Sequence, residues 1–461
     1  MGLLNPESYR NGIIWSSAFN ICGRSVAFVQ HWLVGFYFGT FADTDVFFFT
    51  YNIILFISYF FLNFTIAVLV PKGINLRVRS NEHDSVGFFN GFLVIYTLLG
   101  LVLFLLAGVF TTPLFSLLSS FPEQVVASNM ELIRWCLPIV FLNIVINLMT
   151  EIMASYKYFT FPNTVNLINS TLGVVFILLF HDVLGLRSVA IGLVLGYLVN
   201  LFILVLSMKR LLKWRFSVCS FSKVKEVMGS GAYSQLGYSM YLVALYVPQY
   251  LLSKFPEGSL TAVAFADKMV SVPSIFLVAQ ITNVMAIKFN NLVSANQFTE
   301  VARLAEKLLL SVMTGLFVVA IGISLASEWM VDLLFGMGKF SADSLELTSL
   351  MLSMLIMYLP FSFSYNLFMR IFNAYQKQKV YAWVQLATQG LIIVLYCWLI
   401  PEYGLVGYPL SLALPYIAVS YLVVPLFKRY CPEMLRVGHY YAFLVVFTVV
   451  FAVYYYHAFF A

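Results

Sequence analysis

Residues 147–156 read NLMTEIMASY, and residues 366–375, 219 positions further on, read NLFMRIFNAY. With no gap, the same offset lays Gly185-Leu186 on Gly404-Leu405 and Lys209-Arg210 on Lys428-Arg429. One offset held across three apolar segments points to an internal duplication. Composition says what is duplicated. The chain has 461 residues, of which 61% are hydrophobic and only 10% charged, against about 25% charged in a soluble domain. Apolar runs of about 20 residues, the length that crosses a bilayer, recur along almost all of it. In lipid each backbone group must be paired within the chain, which helices achieve and short alternating strands achieve only in a closed barrel. The pattern is that of an all-α polytopic membrane protein.

Thirteen spans are expected, at 11–38, 46–70, 87–110, 129–153, 161–181, 187–208, 230–252, 260–287, 306–327, 346–371, 380–400, 405–427 and 438–460. The connection at 209–229, KRLLKWRFSVCSFSKVKEVMG, follows the sixth and divides the first twelve into six and six. A repeat of even span number keeps its orientation, so the halves should be related by a pseudo-twofold axis along the membrane normal. The predicted organisation is a six-helix bundle over 1–208, a cytoplasmic linker over 209–229, a second six-helix bundle over 230–429 and one additional transmembrane helix over 430–461.

Charge placement supports this count. With the N-terminus in the cytoplasm, twenty of the 26 Lys and Arg fall in cytoplasmic connections and three in external ones; Arg24, Arg134 and Lys268 lie in or at the edge of spans. The positive-inside rule predicts such an asymmetry, and a shifted count would scramble it. The net charge of +6 is therefore a topology signal, and no nucleic-acid partner is expected. Five cysteines without a C-x-x-C pair and five histidines without ligand spacing signal neither disulfide nor metal site. The first apolar run is too long for a cleavable signal and contains Arg24.

Arg24 carries the functional reading. Arginine does not deprotonate in proteins, and a cation at the bilayer centre costs ~2.5 kcal/mol or more, so it needs a partner or a wet cavity. Ser17, Asn20, Arg24, Ala27 and His31 share one helical face, with Gln30 beside it. Small and polar residues also glue membrane helices together, and for Ser17 and Asn20 both readings stand. A weaker stripe, Gln235, Tyr238 and Gln249, marks the seventh span. The eighth carries Asp267-Lys268, followed by Pro273 as a kink. Asn163, Asn166 and Asn169 in the fifth span suit interhelical hydrogen bonding, and Glu131 and Arg134 have the spacing of a local ion pair. Glu151 aligns with Arg370 in the repeat, a candidate pair for a cytoplasmic gate. A guanidinium in a low-dielectric cavity suits phosphate or carboxylate. Walker A, paired catalytic carboxylates and nucleophile elbow are all missing from the sequence, so it reads as a secondary transporter of an anionic, lipid-like substrate, not an enzyme, with no cofactor expected.

GR at 23–24 with TDVFF at 44–48, FADKMVSVPSIFLVAQITNVMAIKF at 265–289, LLFGMGKFSADSL at 333–345 and NAYQKQKV at 373–380 stand out as more specific segments. Together they resemble the MviN/MurJ lipid II flippase family of the multidrug/oligosaccharidyl-lipid/polysaccharide exporter superfamily. The resemblance implies a two-lobe, alternating-access flippase moving a polyprenyl-pyrophosphate-linked glycan outward across the bacterial cytoplasmic membrane. It implies that Arg24 and Lys268 bind substrate, joined here by Gln30, His31 and Asn20. Asp45 is the family's acidic residue at the top of the second span; with Asp267, Glu151 and Arg370 it forms the gating and ion-coupling set, the drive being membrane potential, H+ or Na+. The expected partners are the lipid-linked glycan and membrane lipids, and the expected state is a monomer. Two positions depart from the family: its second span-one arginine falls on Gln30 and its span-two arginine on Ser58. A flippase for an O-antigen or exopolysaccharide precursor therefore stays open beside lipid II, and a cation-coupled multidrug exporter is the further alternative.

Overall fold

The computed structural model describes residues 9–216, 232–429 and 437–460, so 217–229 of the expected linker and 430–436 before the final span lie outside the described residues. The described residues are helical, with no strand among them. Ten stretches are long and apolar enough to cross a membrane; one of these, Lys379–Lys428, runs through two consecutive helices. The helices at the first and seventh expected spans, Tyr9–Phe38 (α1) and Ala232–Leu252, are not among the ten. The reason is chemical. Arg24, Gln30 and His31 in one, and Gln235 and Gln249 in the other, dilute their hydropathy.

The chain forms two compact units, residues 1–258 with 338–340, and residues 259–337 with 341–461. In the first unit, α1 is followed by Ala42–Phe64 (α2), which runs through a π turn at Thr65–Leu69 into Val70–Arg79 (α3). Just before the π turn, Phe61 O accepts the Thr65 backbone N–H and is also met by the hydroxyls of Thr65 at 2.9 Å and Tyr96 at 3.2 Å. Glu82–Val109 (α4) begins at an Asn81 cap whose side chain accepts the Asp84 N–H at 2.7 Å. After the short helices Thr111–Leu118 (α5), Glu123–Ser128 (α6) and Met130–Cys136 (α7) come Pro138–Ser155 (α8), Thr160–Leu184 (α9), Arg187–Leu211 (α10) and Ala232–Leu252 (α11). The chain leaving α10 is tied down: Trp214 Nε1 donates to Asn90 Oδ1 at 2.8 Å, and Asn90 Nδ2 donates to Arg215 O at 2.7 Å. Beside it, burial pushes the Tyr156 phenol up, an effect that the Arg77 guanidinium, 4.1 Å over its ring, partly offsets.

The second unit holds Ser259–Pro273 (α12), a π turn at Ser274–Ala279, Gln280–Ser294 (α13), Phe298–Leu325 (α14), Ser327–Phe335 (α15), Ala342–Leu355 (α16), Leu359–Ala374 (α17), Gln378–Tyr403 (α18), Gly407–Lys428 (α19) and Val437–Phe460 (α20). The π turn follows Pro273, which has no N–H to continue the ladder. The additional helix α20 is built into this unit's core. Tyr440 shares a 2.7 Å hydrogen bond with Ser364, Tyr455 donates to Met354 O at 2.9 Å, and Phe447 stacks on Phe317.

The duplication is visible in the backbone itself. Gly39 and Gly258, Lys157 and Gln376, and Gly185 and Gly404 are three pairs of positive-φ residues, each separated by 219 positions. Gly185 and Gly404 end their helices with closely matching angles, φ 55, ψ −143 and φ 65, ψ −147. The fourth spans of the two halves, Met130–Ser155 and Ala342–Ala374, are also the most buried of the ten. Each is the central rod of its half. Packing divides the chain later than the repeat does, at Gly258, because α11 is grouped with the first unit.

Candidate functional site

In the first unit the face nominated around Arg24 divides into an open part and a packed part. Arg24 and Asn20 are exposed on α1, a helix otherwise suited to lipid or protein surroundings. Arg24 Nε donates to Asn20 Oδ1 at 2.7 Å, one turn back. That bond fixes the plane of the guanidinium and leaves the four N–H of its two terminal nitrogens for another acceptor. Among the described residues no carboxylate pairs with Arg24; Tyr59 on α2 lies near enough to interact with its charge. A guanidinium held in place and not neutralised is chemically suited to an anionic acceptor.

Gln30 and His31 point elsewhere. Gln30 is buried against α9, where a Cβ on Gly173 would lie 2.9 Å from its Nε2. His31 Nδ1 lies 2.7 Å from Ala27 O, so that nitrogen carries the proton, and the ring stacks on Phe48 of α2. Gln30, His31, Phe47 and Tyr51 border a cavity of about 20 Å³, room for one water. Ser58, at the other position where an arginine is expected, is fully buried and donates to Ile54 O at 2.8 Å. Neither Gln30 nor Ser58 thus adds positive charge to the open face, and both serve helix packing.

Asp45 lies in the first turn of α2 and is 2% exposed. Its Oδ2 accepts the Gly258 N–H at 2.7 Å, while Asp43 accepts from Asn129 Nδ2 at 2.8 Å. The glycines here are dictated by close approach. A Cβ on Gly39 would stand 2.4 Å from Lys339 O, and one on Gly258 would stand 2.5 Å from Thr40 O. Lys339 N–H also donates to Phe36 O at 3.0 Å, so the GKF segment at 338–340 is moored on the turn after α1. The contacts of 338–340 bring the GKF segment to the turn that leads from α1 into TDVFF, two of the segments that carry the family resemblance.

The seventh-span stripe is spent on packing. Asn63 Nδ2 donates to Gln235 Oε1 at 2.5 Å, Gln235 Nε2 donates to Phe60 O at 2.8 Å, and Asn52 Nδ2 donates to Gln249 Oε1 at 3.1 Å. These amide pairs fasten α11 to α2. Asn166 accepts from Asn200 of α10 at 2.9 Å, an interhelical bond, whereas Asn163 donates to Phe159 O within its own helix. The local Glu131–Arg134 pair does not form. Glu131 meets Arg187 at 2.9 Å instead, because the turn into α10 brings that guanidinium to the end of α7.

In the second unit Asp267 and Lys268 are both half-buried on α12. Tyr408 of α19 donates to Asp267 Oδ2 at 2.7 Å, and its ring stacks on Tyr396 of α18 at 5.5 Å. This phenol contact was not legible in the sequence, where tyrosines are too common to single out Tyr408. Arg370 Nη2 donates to Asn283 Oδ1 at 2.7 Å, and Glu151 is half-buried near the end of α8 in the first unit. Among the described residues no cluster of three or more His, Cys, Asp or Glu could hold a metal ion.

With this geometry in hand, comparison with known proteins gives a consistent set of likenesses. The family model for the lipid II flippase MurJ matches residues 34–461. A probable lipid II flippase MurJ of Bdellovibrio bacteriovorus is 22% identical over 210 residues, 46% of this chain and 40% of the relative. A protein of the same description from Buchnera aphidicola is 23% identical over 286 residues, 59% of this chain and 54% of the relative. The chain thus spans about half the length of these curated relatives in the matched stretches. Among solved structures, a lipid II flippase MurJ in an inward closed conformation superposes with a TM-score of 0.82 at 16% identity, over 96% of this chain and 93% of that one. An inward-facing multidrug resistance MATE transporter of the MOP superfamily gives 0.69 at 13% identity, over 91% and 95%. At these identities the structural likeness establishes the fold.

Proposed function

The chain belongs to the MurJ lipid II flippase family and is a multi-pass membrane protein, and from that membership we propose that it flips a polyprenyl-pyrophosphate-linked glycan from the cytoplasmic to the outer leaflet of a bacterial inner membrane. The observation that carries the reading is Arg24, an intramembrane guanidinium oriented by Asn20 and not neutralised by any described carboxylate. In this reading Arg24, Asn20 and Lys268 bind substrate, while Gln30 and His31 back the open face of α1. Asp45, Asp267, Glu151 and Arg370 serve gating and coupling to membrane potential, H+ or Na+, and the N-terminus lies in the cytoplasm. A pyrophosphate suits such a site because the planar fork of arginine engages two of its oxygens at once.

One observation favours a second cargo. Gln30 and Ser58 stand where the family resemblance expects arginines, and both are turned into helix packing. A site with fewer cations accommodates an O-antigen or exopolysaccharide precursor as readily as lipid II. The test is complementation in two bacterial strains, one depleted of its lipid II flippase and one lacking its O-antigen flippase. Sustained growth of the first supports lipid II as cargo. Restoration of O-antigen without rescue of growth would replace that cargo with the second, and rescue of neither would remove the flippase reading.

A further inference from the structure

The end of α13 and the start of α14 enclose an open groove on the side of the basic connections. It is lined by Lys288 and Leu292 of α13 and by Glu300, Arg303, Leu304 and Lys307 of α14, and holds about 180 Å³, several times the roughly 30 Å³ of a water. The α14 residues are spaced i, i+3, i+4, i+7 and so form one helical face. Arg303 is satisfied by Glu300 at 2.6 Å. Lys288 and Lys307 have no acidic partner among the described residues, so two uncompensated cations converge on a groove with a leucine floor.

The surroundings say what sort of anion this is. On α13, Val284 and Ile287, just before Lys288, are 59% and 54% exposed. On α14 the face of Lys307 continues through Ser311, Gly315, Val318 and Gly322. Val318 is 65% exposed, and open space stands where a Cβ would be on both glycines. The basic groove therefore sits where a lipid-facing furrow meets the aqueous boundary, the depth of a phospholipid headgroup. A free phosphate has no use for the leucine floor or the furrow. A second copy docked on the same face would set two lysine pairs against each other.

We propose that the Lys288–Arg303–Lys307 groove is a binding site for an anionic phospholipid, its phosphate held by the two free lysines and one acyl chain lying along the furrow past Gly315. Such a lipid anchors the α13–α14 hairpin at the inner leaflet, where anionic headgroups concentrate. The proposal is independent of what the protein carries.

The full chain in nanodiscs of phosphatidylcholine, alone or mixed in equal parts with phosphatidylglycerol, provides the test, with retained phospholipid counted by mass spectrometry. The wild type should retain phosphatidylglycerol preferentially, and Lys288→Gln with Lys307→Gln should cut that preference on the order of tenfold to thirtyfold. Both lysines are exposed, so the variant keeps its fold, and Lys288→Glu with Lys307→Glu should lower retention further. Equal retention of the two lipids by the wild type overturns the proposal, as does an unchanged preference in the double variants. Displacement of the lipid by equimolar inorganic phosphate would make it a free-anion site instead. Loss of self-association in the variants would make it an interface between copies.

Discussion

Replacing Arg24 by alanine tests the proposed anion site at its centre. The side chain has five N–H donors, of which Nε is taken by Asn20 at 2.7 Å. The two terminal nitrogens remain to make a parallel pair of bonds to pyrophosphate oxygens. Hydrogen bonds involving a charged group contribute about 1.5–3 kcal/mol each. Because Arg24 is exposed, the low end applies, and two bonds amount to about 3 kcal/mol, roughly a 150-fold loss of affinity. Arg24→Lys keeps the charge and loses the fork, so it should fall between, about tenfold down. Asn20→Ala leaves the charge and frees its orientation, which should cost severalfold. The assay is binding of a polyprenyl pyrophosphate to purified protein, with thermal stability measured in parallel. The charge makes no ion pair with a described carboxylate, so its removal should leave the melting temperature unchanged or higher. Wild-type affinity in a folded Arg24→Ala protein would refute the reasoning.

The amide pairs between α2 and α11 should behave as structural glue: Asn63→Leu strands Gln235 and should destabilise by about 1–3 kcal/mol, whereas Asn63→Leu with Gln235→Leu should recover part of that loss in the same melting assay. Gly258→Ala places a Cβ 2.5 Å from Thr40 O at a positive φ, so it should lower stability by at least about 1 kcal/mol and weaken the Asp45 contact, seen as faster proteolysis around 258. Tyr408→Phe removes the hydroxyl that donates to Asp267; it should cost about 1–3 kcal/mol, and combining it with Asp267→Asn should add far less than the sum of the two singles. Glu131→Gln breaks a half-exposed pair with Arg187 and should shift stability by less than about 1 kcal/mol.

Much of the fold was legible because membrane helices are written in hydropathy and the halves were written twice. The 219-residue offset read from three short matches returns in the backbone as three pairs of positive-φ residues. Those pairs answer to steric demands, such as close approach at Gly39 and Gly258, which survive sequence drift. The surroundings of the candidate site were legible only in part. Arg24 declares itself because a cation in an apolar run has no cheap alternative. Glutamines and asparagines do have one, and Gln235, Gln249 and Gln30 took it, pairing with or packing against neighbouring helices. Helical periodicity gives the face of a residue but not what stands opposite. That is why Glu131 found Arg187 and not Arg134. The mooring of 338–340 on the turn after α1, about 300 residues away in sequence, leaves no local trace at all.

The most direct measurement is leaflet translocation by the purified chain in proteoliposomes, with a fluorescent lipid-linked glycan loaded on one side and its appearance on the other followed by a membrane-impermeant reagent. The expected result is transfer well above that of protein-free vesicles, abolished by Arg24→Ala and reduced by Asn20→Ala. Transfer no faster than in empty vesicles, for lipid II and for an O-antigen precursor alike, would contradict the flippase function; transfer undiminished by Arg24→Ala would contradict the site.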